Sequence, residues 1–383
     1  MREQEAKAAQ EESKGRLDFL GDDEPSFFND PKKLIQTGVI VLVLIIAIYA
    51  VFPKVLGLEG SLHKIEDGNP WWIGAAIGFN FAAFAAYVAL FRGVIGEQII
   101  HLEWSESYQI TMAGLAATRL FSAGGAGGLV LTYWALRKAG LERRRSACRM
   151  VAFLIVLYSV YLLALIVFGI LLRTGVLSGK NSAGLTIVPA AISASLLVLL
   201  IATAKLPEGF ERRIGAAKGR RAARLTRRLA TVPATLAQAT RTALSFVRHP
   251  SRGALAFVGA FGFWASNIGI LWASFHAFGV AVPFGVLVQG FFIGMAANLF
   301  PLAPGGVGAV DAGMIGTFVL FGLPDSDVFT AVLSYRVIAF WLPIPPGIVA
   351  FFQLRKTVAR WEAEGRPVPD TPEAASGAAT APA

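Results

Sequence analysis

The residues best equipped for chemistry in this chain lie where the sequence is most apolar. From Asn298 it reads Asn-Leu-Phe-Pro301-Leu-Ala-Pro304-Gly305-Gly306-Val-Gly308-Ala-Val-Asp311. An apolar run to Gly322, a short polar turn and a second apolar run carrying Tyr335 and Arg336 follow. In lipid, irregular backbone survives only when buried in protein or facing a watery cavity. An ionisable side chain at that depth is a functional candidate. A glycine turn that opens a half-helix exposes N–H groups, and such a terminus attracts anions, phosphate especially. Arg336 offers a guanidinium for that anion, and Asp311 a carboxylate that titrates or competes for it. At 1.5 Å per residue, Asp311 lies ~9 Å beyond Gly305 and Arg336 roughly 13 Å into the last span. The two are expected to pair near the tip of a hairpin that does not cross the membrane. The competing reading is a purely structural pair fastening hairpin to span.

A second block, Gly124-Gly125-Ala126-Gly127-Gly128, follows Arg119. It offers the same turn and the same kind of cation. Its alternatives are close helix packing through small residues and an arginine that snorkels to the interface. Asn80, Asn267, Gln289 and Asn298 read as interhelical hydrogen-bonding groups.

Other chemistries lack their residues. Gly306-Val-Gly308-Ala-Val-Asp311 misses the last glycine of a dinucleotide fingerprint. Gly175-Val-Leu-Ser-Gly179-Lys180-Asn181 is one residue short of a phosphate-binding loop and lacks its Ser or Thr. His63, His101, His249 and His276 are scattered, and Glu97 with His101 at i, i+4 reads as a solvated surface pair. No serine sits in a nucleophile elbow. Cys148 is the one cysteine, so no disulfide framework exists within one chain. Neither catalytic residues nor a metal or cofactor are expected.

The elements that must position these residues are membrane spans. The chain is 55% hydrophobic with 16% charged residues, against roughly 25% charged in soluble domains, and several runs reach the ~20 residues that cross a bilayer. The +10 net charge clusters in loops, as the positive-inside rule requires, so no nucleic-acid partner is expected. Residues 1–33 form an acidic, disordered cytoplasmic tail. The run 34–53 is a retained span rather than a signal peptide. Spans follow at 71–91, 150–172, 184–204, 253–276 and 328–352, with an interfacial helix over 92–111. Residues 112–136 are apolar, yet flanked by an Arg-rich loop that belongs in the cytoplasm. A re-entrant hairpin bending at Gly124–Gly128 resolves this, and 284–322 forms the second hairpin. The segment 205–250 carries eleven Lys or Arg against Glu208 and Glu211. Its apolar residues fall at helical spacing, with Pro233 starting a second helix, which suits an anionic inner leaflet. Residues 354–383 read as a second disordered cytoplasmic tail.

Residues 71–172 and 253–353 repeat one order of features: span, broken hairpin, span. Ala76, Gly78, Phe79, Ala89 and Phe91 match Ala260, Gly262, Phe263, Ala273 and Phe275 at one offset. The charge bias starts one unit outside and the other inside, which makes an inverted repeat with its site near the midplane. The expected fold is all-α and polytopic, with about six full spans and two re-entrant hairpins.

The Pro301-x-x-Pro304-Gly305-Gly306-x-Gly308-x-x-Asp311 block with Tyr335-Arg336 resembles the flippase-like transmembrane family typified by the membrane half of lysylphosphatidylglycerol synthases. The stretch Arg119…Gly124-Gly125-x-Gly127-Gly128…Leu136-Arg137-x-x-Gly140 resembles that family's first motif. Asp311 stands where the family usually has Glu. The resemblance covers about residues 35–355 and implies translocation of a lipid between leaflets. No soluble stretch is long enough for the synthases' aminoacyl-transferase domain, so no lysyl-lipid synthesis is expected. The reading is a multi-pass protein of a bacterial inner membrane, both termini cytoplasmic, that moves a phosphate-bearing lipid or lipid-linked headgroup. Arg119, Gly124, Gly125, Gly127, Gly128, Pro304, Gly305, Gly306, Gly308, Asp311, Tyr335 and Arg336 form the expected headgroup site. Membrane lipids, and a lipid-modifying enzyme, are the expected partners. Two alternatives stand beside this: a transporter of a small soluble anion, and a non-transporting scaffold for a glycosyltransferase or lipid synthase.

Overall fold

The computed structural model describes residues 68–95, 100, 102–120, 126–205, 220–299 and 306–365, and the regular elements among them are all helical. In chain order they are α1 (Pro70–Ile95), α2 (Trp104–Leu120), α3 (Ala126–Lys138), α4 (Arg143–Arg173), α5 (Ile187–Thr203), α6 (Arg220–Arg248), α7 (Pro250–Ala277), α8 (Phe284–Ala296), α9 (Ala309–Leu320), α10 (Asp325–Arg336) and α11 (Ile344–Ala363). Among the described residues, Pro70–Ile95, Arg143–Arg173, Gly253–Ala277 and Asp325–Ala363 are long and apolar enough to cross a membrane. The fifth expected span, α5, is 17 residues, about 25 Å. The expected span 34–53, the N-terminal tail and the chain beyond 365 lie outside the described residues.

Helices α1 and α7 form the centre and run antiparallel. Glycines let them approach: a Cβ on Gly259 would lie 2.3 Å from Leu90 N, and one on Gly93 2.3 Å from Ala256 N. Dispersion through small residues takes the place of the hydrophobic effect when the surroundings are lipid. At one end Asn69 N–H donates to Ala277 O at 2.9 Å, and Trp72 packs on Trp272 and His276.

Two helical hairpins flank this pair. In the first, α2 and α3 cross where a Cβ on Gly128 would lie 2.3 Å from Gly114 O. In the second, Gly290 faces Phe318 and Gly294 faces Met314, so α8 and α9 are antiparallel. Both feet of the first hairpin lie at the C-terminal end of α11. Glu106 near the start of α2 takes Arg360 at 2.9 Å, and Lys138 at the end of α3 takes Glu362 at 2.6 Å. Both feet of the second lie at the C-terminal end of α4: Gly285 packs on Leu172, and Lys180, in the loop after α4, donates to Leu320 O at 2.9 Å. Since α3 runs into the start of α4 through a four-residue turn, the hairpins enter from opposite ends of the bundle.

Three expectations are corrected. The interfacial helix and the first hairpin arm are one helix, α2, because Glu106 is only 2% exposed. Its carboxylate receives Glu103 N–H at 2.9 Å, Arg360 at 2.9 Å and Trp361 Nε1 at 3.1 Å, so a charge that suggested water is satisfied inside protein. Residues 354–363 are not a disordered tail. Leu354, Val358 and Trp361 share one face of α11 and are buried, facing α2, where Thr357 bonds Gln109 at 2.8 Å. Pro233 lies inside α6 rather than starting a second helix. The second half of α6 packs on the bundle: Ala239, Ala243 and Phe246 are buried in the main core, Arg241 donates to Ala204 O at 2.9 Å, and Val247 is exposed.

The last span is irregular at its middle. Between α10 and α11 lie a π-helical turn, Val337–Trp341, and Leu342-Pro343, and α11 opens with Ile344-Pro345-Pro346. Pro343 has no N–H to return to Ala339 O, and Leu342 N–H reaches back instead to Val337 O at 3.1 Å.

Candidate functional site

Helix α9 begins at Gly308, whose φ of 82° is open to glycine and costly for other residues. Gly306 before it has φ 68°, and a Cβ there would lie 2.5 Å from Asn298 Oδ1. These two positive-φ residues turn the chain into α9 and set Asp311 as its third residue. Asp311 Oδ2 accepts the Gly308 N–H at 2.8 Å, the half of a capping box in which a carboxylate satisfies a free donor at the helix start. Asp311 Oδ1 meets Arg336 Nε at 2.6 Å, and the two side chains are 7% and 5% exposed. The expected pair is therefore formed at the base of the expected turn. The N-terminus of α9 is not open to a ligand in this state, because the chain's own carboxylate holds it.

Arg336 has a second neighbour. Its guanidinium carbon lies 4.6 Å from the centroid of the Phe340 ring, and that of Arg119 lies 5.1 Å from the same centroid. Arg119 arrives from the other hairpin. Helix α2 runs antiparallel to α11 along its length: Glu106 meets Arg360, Gln109 meets Thr357, and Met112 and Ala116 meet Gly347. That register sets Arg119 beside the π turn, where it donates to Phe340 O at 2.7 Å and Ala339 O at 3.0 Å. The carbonyl deprived of its helical donor by Pro343 thus receives an arginine. Arg119 was expected to be the cation of a separate inner half or a residue snorkelling to the interface. It is neither, because α2 carries it inward to the same ring that Arg336 uses.

The remaining expected residues divide. Tyr335 is 3% exposed and is turned toward α7 and α8. Its hydroxyl is 3.5 Å from Asn267 Oδ1, and its ring meets Phe291 edge-on at 5.9 Å. Gly128 is a packing glycine: a Cβ would lie 2.0 Å from Thr118 Oγ1, so its lack of a side chain serves the α2–α3 crossing. Gly127 is part of the first turn of α3. Gly124, Gly125, Pro304 and Gly305 lie outside the described residues. Among the expected interhelical groups, Gln289 donates to Leu185 O at 3.0 Å and Asn267 to Phe263 O at 2.9 Å. Phe340 and the Pro343 break went unnoticed in the sequence. The signal was present: three prolines in five residues inside an apolar run forbid a regular helix there.

Arg119 on a carbonyl pair and Arg336 on a carboxylate thus share one aromatic ring inside an apolar, all-helical bundle with the make-up of a polytopic membrane protein. Residues 37–347 match the family described as Lysylphosphatidylglycerol synthase TM region, and the chain belongs to that family. Curated relatives include UPF0104 membrane proteins of Methanothermobacter thermautotrophicus. One match is 30% identical over 86 residues, 22% of this chain and 26% of the relative. Another is 32% identical over 91 residues, 24% of this chain and 27% of the relative. Each match spans about a quarter of the relative's length.

Proposed function

We propose that this protein translocates a phosphate-bearing lipid or lipid-linked headgroup between leaflets, binding its phosphate where Asp311 now sits. The observation that carries this is the double engagement of Asp311 by the Gly308 N–H and by Arg336. A helix N-terminus and a guanidinium are the donors a phosphate requires. Asp311 fills both as an internal anion, so an arriving phosphate displaces it and a departing one lets it return. A charge at this depth is costly without a partner, which makes the exchange reversible rather than a dead end. The opposed hairpins support an inverted repeat, an architecture whose sites lie at the midplane. The end holding Arg92, Arg137, Lys138, Arg143, Arg149 and Arg360 is the cytoplasmic one by the positive-inside rule. In a cell that membrane is the inner membrane. On this reading the chain is a carrier and not a lipid synthase.

The test is translocation of fluorescent phospholipid analogues in proteoliposomes, read by chemical quenching of the outer leaflet. Arg336→Ala and Asp311→Ala are each expected to abolish the protein-dependent rate. Unchanged rates in both would reject the site and leave a scaffold role.

A further inference from the structure

Resting on that translocation reading, we propose that the site selects its lipid by charge: it takes a phosphodiester bearing one negative charge in preference to a phosphomonoester bearing nearly two. Apart from Arg119, Asp311 and Arg336, the apolar runs 34–53, 71–91, 107–136, 150–172, 181–204, 253–275, 277–324 and 328–354 contain no Asp, Glu, Lys or Arg. Other buried charges, Arg92, Glu106 and Arg137, lie toward the end of the bundle that holds Lys138 and Arg360, whereas these three are gathered around Phe340. In sequence, residues 121–125 and 300–305 are Phe-Ser-Ala-Gly-Gly and Phe-Pro-Leu-Ala-Pro-Gly, which add no charge.

Two guanidiniums and one carboxylate leave one positive charge. The Ala339 and Phe340 carbonyls that hold Arg119 stabilise that charge through their dipoles without cancelling it. An uncompensated charge in such surroundings costs several kcal/mol. A ligand with one negative charge brings this cluster to zero, and its two free phosphate oxygens suit guanidinium donors. A phosphomonoester carries about −1.5 to −2 at pH 7 and drives the same cluster toward net negative, so it is admitted only with a proton. An uncharged lipid leaves the excess in place. The two arginines thus grip the phosphate, and Asp311 sets the charge count.

The shared chemistry, a phosphodiester monoanion, can belong to a lipid or to a soluble molecule, and the experiment separates them. The full chain in neutral detergent is titrated with phosphatidylglycerol, phosphatidic acid and diacylglycerol of identical acyl chains, with binding read by native mass spectrometry. Glycerophosphoglycerol, the deacylated headgroup, is the soluble competitor. Wild type is expected to bind phosphatidylglycerol at least about tenfold more tightly than either other lipid. Asp311→Asn, which raises the excess to two, is expected to bring phosphatidic acid level with phosphatidylglycerol or ahead of it. Asp311→Glu, which keeps the charge, is expected to keep the wild-type order and controls for folding. Arg119→Gln removes the excess and is expected to bring phosphatidylglycerol down to diacylglycerol.

Equal affinity of wild type for the diester and the monoester overturns the proposal, as does an unmoved ratio in Asp311→Asn. Competition by glycerophosphoglycerol at the lipid's own concentration overturns its lipid half. Charge-selective binding with no lipid movement in proteoliposomes rejects the translocation reading while the selection stands. Movement without discrimination rejects the selection alone.

Discussion

The two hairpins use the same residue types for opposite ends. In the first, glycine serves contact: Gly128 lets α3 reach the backbone of α2, and a Cβ would meet Thr118 Oγ1 at 2.0 Å. In the second, Gly290 and Gly294 serve contact in the same way, but a turn glycine serves direction: Gly308 has φ 82° and nothing within 4 Å of a Cβ. The charged groups differ likewise. Arg119 on the first hairpin is held by two main-chain carbonyls, which cannot move without the helix that owns them. Asp311 on the second is held by one N–H and one side chain, both of which another anion can take. The first hairpin is also fastened along its length to α11 by Glu106, Gln109 and Lys138. On the proposed function, one hairpin is a fixed wall carrying a cation, and the other carries the anion that exchanges. A glycine-rich break in a membrane helix does not state which of these it is.

Breaking the exchangeable side is expected to have the largest effect. Arg336→Ala leaves Asp311 buried without its cation, and loss of one partner from a buried pair costs about 3–5 kcal/mol. Thermal unfolding in detergent should fall accordingly, and the double variant Arg336→Ala with Asp311→Ala should recover part of the loss. No recovery would show that the pair is not coupled.

The glycines sharpen the comparison next. Gly128→Ala and Gly128→Leu are expected to destabilise progressively, by about 1–3 kcal/mol or more for the larger side chain. Gly308→Ala and Gly308→Leu are expected to cost about 1–2 kcal/mol alike, because only the backbone conformation opposes them. Size dependence at residue 308, or its absence at residue 128, would undo the distinction between turn and contact.

Arg119→Lys follows. It keeps the charge but loses the fork that spans two carbonyls, with an expected cost of about 1 kcal/mol. A loss as large as that of Arg336→Ala would mean that Arg119 is engaged by more than the π turn. Smallest is Lys138→Gln. It removes a partly exposed ion pair with Glu362 at about 0–1 kcal/mol, and it should be silent in translocation.

Much of this arrangement was legible in the sequence because membrane physics restricts what a sequence can say. A carboxylate and a guanidinium inside apolar runs have to meet, and Asp311 and Arg336 do. A basic loop after an apolar, glycine-broken run requires a return to the same side, and both feet of the first hairpin lie at one end of α11. The failures share a cause. Glu106 looked like a surface residue and Arg360 like part of a tail, because each was judged against water or lipid. Their partners are 254 positions apart, and nothing local announces such a pairing. Arg119 was placed on the wrong side of the site for the same reason, since its depth is set by the register of α2 on α11.

By itself, then, the sequence determined the solvent of each segment. Hydropathy fixed which runs leave water, and the cost of a bare charge in lipid fixed that Asp311 and Arg336 must be paired. The tertiary structure decided which backbone atoms and which ring those charges share. Pro343 withholds a donor from the Ala339 carbonyl, and only the packing of a helix more than two hundred residues earlier supplies Arg119 to replace it. Local propensity cannot encode that choice, because it arises from contact between elements that meet only when the chain is folded.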